Sequence, residues 1–218
     1  MKAPIYLFQD LTASLNFEKI KFSDTPYKKV IEQGIVYFID MYYKNNSIII
    51  QLPRYPIKFI SKNKLTITVD NDFIDYLIKP LEEHIINSVH KYSERWFDGK
   101  KFTLNKIINS MISPKKVFDI DITLHKDTLY FNRYRNIITL DDIEGDVDEK
   151  QIMCLIKISS LQFIKNRFTY QIQLEQGKVF MNEKLVEYSF IENDSDSIIE
   201  SDPEYCHESI NSDRDFFL

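Results

Sequence analysis

Glycine is scarce in this chain: there are four, Gly34, Gly99, Gly145 and Gly177, each standing alone. Loops that cradle nucleotide phosphates need several glycines close together so that backbone can approach the ligand. No Walker-type or dinucleotide-type loop is present. Cysteine is scarcer still, with Cys154 in an apolar run and Cys206 in an acidic stretch, too unlike in surroundings to read as a disulfide framework. Histidines number four, His84, His90, His125 and His207. His84 and His90 lie six apart on one helical pattern, hence on different faces, whereas a metal pair needs spacing of three or four. Cys206-His207 has no further ligands nearby, so neither a metal nor another cofactor is expected. No run of about 18 apolar residues occurs, which excludes a spanning helix and leaves no membrane role. The start, "MKAPIYLFQDLTAS", reaches Asp10 too soon for a secretory apolar region, so the expected compartment is the cytoplasm.

What is present divides sharply by charge. The 218 residues are 44% hydrophobic and 14% aromatic, with a formal charge of −5. Residues 190–218 hold nine acids and one base, giving −8 and leaving +3 for residues 1–189. The acidic part, rich in Ser, Asp and Glu, cannot bury enough apolar surface to offset its ordering entropy, so it reads as a disordered tail. It nonetheless ends on Asp213-Arg214-Asp215-Phe216-Phe217-Leu218, three large apolar side chains that serve no solubilising purpose. The expected organisation is one domain over 1–189 with an N-terminal extension, followed by the tail.

Within the body, "SIIIQL" (47–52) and "KLTITVD" (64–70) are β-branched and bounded by turn formers, and both read as strands. "PRYPIKF" between them carries Pro53 and Pro56 and is expected as a turn or edge. Asp70, Asn71 and Asp72 open a helix whose apolar positions Phe73, Ile74, Leu77, Leu81, Ile85, Ile86 and Val89 keep helical spacing, with a kink or split expected at Pro80. A shorter helix is predicted over 104–112. Strand character returns at 116–125 and 127–134. A hairpin with long arms is predicted from 152–164 and 168–180 around "KNR". Several strands with a helical insertion and no βαβ alternation predict a mainly β, α+β domain of the OB-like barrel kind.

The acids offer little chemistry. "DDIEGDVDE" (141–149) concentrates six carboxylates in one loop whose spacing is not that of an EF-hand. Asp119 and Asp121 alternate on one strand and share a face, the arrangement a metal-dependent nuclease would need, yet an exposed strand face explains them with fewer assumptions. Ser159-Ser160 has no nucleophile elbow around it. No enzymatic activity is expected.

The bases are interleaved with aromatic residues. Lys44, Arg54, Lys58, Lys62 and Lys64 occur between Met41 and Val69 without one acid, among Tyr42, Tyr43, Tyr55 and Phe59. Arg95, Lys100, Lys101 and Lys106 accompany Trp96, Phe97 and Phe102. Arg133 and Arg135 accompany Tyr130, Phe131 and Tyr134; Lys165 and Arg167 adjoin Phe168. Cations track phosphates while rings take the faces of unstacked bases, at about 1–3 kcal/mol per base. The candidate DNA-binding set is therefore Lys44, Arg54, Tyr55, Lys58, Phe59, Lys62, Arg95, Trp96, Lys100, Lys101, Tyr130, Arg133, Tyr134, Arg135, Lys165 and Arg167.

The strand "LTITV" leading into "FIDYLIKPLEEHIINSV", the segment "DTLYFNRYRN", the hairpin "KISSLQFIKNRFTYQIQL" and the closing "DRDFFL" resemble the single-stranded-DNA-binding proteins of poxviruses, other large cytoplasmic DNA viruses and related linear plasmids. The resemblance spans roughly residues 65–218. It implies an OB-type barrel that coats single strands during replication, with a tail that recruits replication proteins or competes for the DNA groove. The implied partner-binding residues are Asp213, Asp215, Phe216, Phe217 and Leu218. Self-association is compatible with this reading. The other open reading is a viral accessory factor acting through protein contacts, with the body's aromatics in its core.

Overall fold

Strand and helix boundaries follow the punctuation of the sequence most closely at the start of the helical region and in the final hairpin. The computed structural model describes residues 3–31, 34–143 and 150–181, all within one compact unit. The N-terminal part runs through β1 (Ile5–Leu7), α1 (Leu11–Ser14), β2 (Ile20–Phe22), β3 (Tyr27–Ile31) and β4 (Gly34–Tyr43). Next come β5 (Ile48–Ser61) and β6 (Lys64–Thr68). A helical region follows, with α2 (Asn71–Phe73), a π-helical turn (Ile74–Ile78), α3 (Lys79–Trp96) and α4 (Leu104–Ser110). The chain then adds β7 (Lys115–Lys116), β8 (Asp119–Thr123), β9 (Leu129–Phe131), β10 (Ile137–Ile138), β11 (Gln151–Ile164) and β12 (Arg167–Phe180).

The result is mainly β with one long helix. β12, β8, β6, β5 and β11 pair in that order, and β11 pairs back onto β12, so five strands close a ring. The β12–β8 contact is parallel and rests on one register pair, Gln173 with Thr123. β4 extends the sheet from β11 and carries β2 and β3.

Ring closure needs curvature, and bulges supply it. Ser159 and Ser160 of β11 together oppose Gln171, Glu175 is the extra residue of β12, and Lys58 is the extra residue of β5. The fourth bulge corrects the reading of "PRYPIKF". It belongs to β5, a strand of 14 residues in the middle of the sheet. Leu52 and Pro53 oppose the single residue Cys154, so Pro53 falls where the ladder is interrupted and its missing N–H costs nothing.

Pro80 is accommodated in a related way. Asp70 caps the helical region, its Oδ1 accepting from the Phe73 N–H at 2.8 Å. The chain then passes through the π turn, and Pro80 falls in the first turn of α3, where its N–H is not needed. The expected split is therefore a change of helical pitch. The predicted 104–112 helix ends at Ser110, and the 116–125 and 127–134 strands contract to β8 and β9.

Alternation in the long hairpin sends Ile152, Cys154, Ile156 and Ile158 of β11, and Phe168, Tyr170, Ile172 and Leu174 of β12, into the core. Leu77, Leu81, Ile85 and Val89 complete it from the helix. The buried Tyr170 hydroxyl donates to Glu82 Oε1 at 3.0 Å, tying α3 to β12. Gly177 marks the closest approach. A Cβ there would lie 2.8 Å from Ile152 Cδ1 and 3.2 Å from Tyr130 Cδ1.

Candidate nucleic-acid interface

A groove of about 390 Å³ opens between the C-terminal end of α3, the helix α4 and the turn joining β11 to β12. Local chemistry builds each wall. At the end of α3, Asp98 and Gly99 adopt φ of +52° and +82°, and the Gly99 N–H returns to the Glu94 carbonyl at 2.8 Å. This stops the helix and leaves Phe97 at the mouth of the groove. Ser93, buried in α3, accepts from the Phe102 N–H at 3.2 Å and fixes the next ring. Thr103 then caps α4. The opposite wall is the two-residue turn Lys165-Asn166, with Lys165 at φ +55°, the left-handed conformation such a turn needs at its first position. The Ile112 N–H donates to the Phe168 carbonyl at 2.7 Å and holds the two walls together.

Five rings line this groove in a connected train. Phe97 is the hub, with ring centroids 6.0 Å from Tyr37, 5.4 Å from Phe102 and 5.0 Å from Phe163. Phe163 stacks on Phe168 at 5.1 Å and 17°. Tyr37, Phe97 and Phe102 are half-buried, so part of each is open to a ligand; Phe163 and Phe168 are buried and support them. The rim carries Lys100, Lys106, Lys165 and Arg167 against one acid, Asp98. Lys28 and Lys106 place their Nζ 5.2 Å and 4.8 Å from the Tyr37 and Phe102 ring centroids. A surface of half-open rings edged by cations suits a ligand with flat apolar faces and a polyanionic backbone.

Of the residues expected from sequence, the groove gathers Lys100, Lys165 and Arg167, with Lys101 exposed beside it. Three expected base-stacking rings are core. Tyr55 is 5% exposed, its hydroxyl donates to Asp70 Oδ1 at 3.1 Å, and burial together with the Asp70 charge pushes its pKa well up. Trp96 is 4% exposed and its Nε1–H donates to the Ser23 carbonyl at 3.1 Å. Tyr130 is 6% exposed, with a hydroxyl pushed up to about 12 by burial. None of the three offers a face to a base without unpacking.

The remaining expected residues are dispersed. Lys58 pairs with Asp119 at 2.5 Å; Phe59 is 49% exposed and Lys62 is exposed at the β5–β6 turn, and none of the three lines the groove. Arg54 lays its guanidinium 3.6 Å from the Phe180 ring centroid. Arg133 stacks on Tyr134 at 4.6 Å in the tight turn closed by Asn132, and Arg135 sits there at φ +70° beside a shallow hollow with Lys178. Lys44 and Arg95 line a different groove, on the other flank of α3. Asp213, Asp215, Phe216, Phe217 and Leu218 lie outside the described residues, as do Cys206, His207 and residues 144–149.

Asp119 and Asp121 do share a face, as their spacing requires, and that face is occupied by lysines. Lys64 and Lys116 lie 2.9 Å and 3.4 Å from Asp121, while Thr66 and Thr68 donate to Asp121 and Asp119. The hydrogen bond from Lys58 holds the Asp119 pKa down. At Asp121, burial works the other way but is outweighed by hydrogen bonds from Lys64 and Thr66. Among the described residues no three His, Cys, Asp or Glu side chains gather in a way that could hold a metal ion.

Tyr37 and Lys28 were missed by sequence reasoning, which left the first 40 residues unassigned. The signal was there: ten β-branched and aromatic-rich residues from Gly34 to Tyr43, closed by the turn formers Asn45 and Asn46, describe β4.

No protein-family model matches the chain, and no curated protein matches it. Among solved structures, it is similar to the single-stranded DNA-binding protein from bacteriophage Enc34, at 11% identity and a TM-score of 0.40, over 79% of this chain and 96% of that one. The same phage protein in complex with single-stranded DNA gives 12% identity and a TM-score of 0.39, covering 73% of this chain and 96% of the other. Its C-terminal truncation gives 10% and 0.39, covering 75% and 96%. These are phage proteins, and none of the three is of the poxvirus, large cytoplasmic DNA virus or linear-plasmid kind expected from the sequence.

Proposed function

We propose that this chain binds single-stranded DNA without sequence preference, in the groove between α4 and the β11–β12 turn, and that it is not an enzyme. The observation that carries the reading is the train of rings from Tyr37 through Phe97 to Phe102, edged by Lys100, Lys106, Lys165 and Arg167. Every base has an apolar face, so rings recognise bases regardless of identity. Duplex DNA hides those faces and cannot use them. We read the five-strand ring as an OB-type barrel, a fold whose rim accommodates such a groove.

The biological setting we propose is replication of a viral or plasmid genome, with the acidic residues 190–218 recruiting replication proteins or competing for the groove. Deleting 190–218 removes a local polyanion and is expected to tighten binding to single strands; unchanged affinity removes competition and leaves recruitment as the tail's role.

Fluorescence anisotropy with labelled oligo-dT tests the function itself. Expected is a clear preference for oligo-dT over duplex of the same length, with affinity falling steeply as salt rises, because phosphate contacts release counterions. Equal affinity for duplex, or no salt dependence, overturns the reading.

A further inference from the structure

On the other flank of α3 lies a second groove, of about 870 Å³. Lys19 and Lys21 reach it from β2 and the turn before it, Lys44 from the β4–β5 turn, and Lys91 and Arg95 from α3; Glu18 and Asp24 are its acids. Lys19, Lys21, Lys44 and Lys91 form no ion pair among the described residues. Lys44 and Lys91 hold their Nζ 5.2 Å and 5.1 Å from the Tyr43 and Tyr92 ring centroids. Arg95 meets Asp24 at 2.9 Å, but both ends are exposed, and such a pair is weak enough to be exchanged for a phosphate. Tyr92 is half-buried and leans on Trp96 at 5.4 Å, leaving part of its ring open.

The two grooves adjoin. Trp96 lines the second and Phe97 the first, so consecutive residues at the end of α3 separate them. Ser23 and Asp24 wall the second groove, and Lys28, four residues further on, stands over Tyr37 in the first. The cations come from β2, the β4–β5 turn and α3, which spreads them along a path, as an extended polyanion requires.

We propose that a DNA strand held in the first groove continues around the C-terminal end of α3 into the second, so that one footprint spans both. This rests on the single-stranded-DNA reading of the first groove. The second groove adds phosphate contacts and one or two half-open rings, and its contribution appears only for strands long enough to reach it.

The test compares the full chain with the double variant Lys21→Gln/Lys91→Gln, both exposed positions, using oligo-dT of about 6 nucleotides, near the short end of the usual span of one OB-type site, and of about 20, beyond its long end. Each phosphate contact on a single strand contributes about 0.7 to the slope of log affinity against log salt. Losing two lowers that slope by about 1.4 and, at about 0.1 M salt, lowers affinity for the long strand about 25-fold. The short strand is expected to bind the variant and the unmodified protein alike. Equal losses on both lengths mean a diffuse field and overturn the proposal, as does an unchanged affinity for the long strand. If the unmodified protein binds neither length, the reading of the first groove is what has failed, and the shared footprint falls with it.

Discussion

Removing Lys165 and Arg167 from the β11–β12 turn isolates the electrostatic part of binding, because neither residue has a structural duty. Both are exposed at the tip of the hairpin and neither forms an ion pair among the described residues. Lys165→Asn keeps a residue that tolerates φ of +55°, and Arg167→Gln keeps a long polar side chain that retains the strand register. The fold and the melting temperature should therefore be unaffected. With two phosphate contacts gone, the salt slope falls by about 1.4. At about 0.1 M salt the same contacts correspond to about 25-fold in affinity, or about 2 kcal/mol. Anisotropy titrations with oligo-dT at several salt concentrations read both quantities. An unchanged slope with unchanged melting refutes the placement of the strand against this turn, whatever the affinity does.

Two further outcomes test the fold that holds the groove. Gly177→Ala puts a methyl group 2.8 Å from Ile152 Cδ1, the movable end of its side chain, and 3.2 Å from the Tyr130 ring, which is held in the core, so a loss of about 1 kcal/mol is expected in denaturant unfolding; a raised midpoint contradicts this close approach. Asp119 and Asp121 have pKa values held below the ordinary carboxylate value, so their stabilisation is fully present above about pH 4, the unfolded-state value, and is lost as pH falls through the lower folded-state value. Asp119→Asn/Asp121→Asn should thus be less stable than the unmodified protein at pH 7 and show a flatter decline below pH 4; parallel curves contradict the lysine-paired face.

Legibility in the sequence followed the strength of local signals. The hairpin of β11 and β12 was evident because the segments 152–164 and 168–180 alternate apolar and polar positions around "KNR"; in the structure each arm gains one residue, and Arg167 joins β12 to leave a two-residue turn. The helix was evident from Asp70 and the recurring apolar residues. Two features were hidden because long-range pairing decided them: β5 runs through Pro53 only because a bulge opposite Cys154 relieves it, and Tyr55 faces inward because strand alternation on either side of that bulge fixes it. Trp96 and Tyr130 stand in basic stretches of the sequence just as Phe97 and Phe102 do. Trp96 is the last residue of α3 and is buried, whereas Phe97 follows it as the C-cap, at φ −127° and ψ +48°, and becomes the hub of the groove. Composition located the basic and aromatic stretches, while the turn after α3 and the hairpin tip selected which of their members meet.

The central claim is that bases stack on the rings of the first groove. Photocrosslinking of iodouracil-substituted single strands, followed by mass spectrometry of the peptides, addresses it directly. Crosslinks concentrated on Tyr37, Phe97 and Phe102 are the expected result; crosslinks concentrated on Phe59 or Tyr134, with those three rings unlabelled, contradict it.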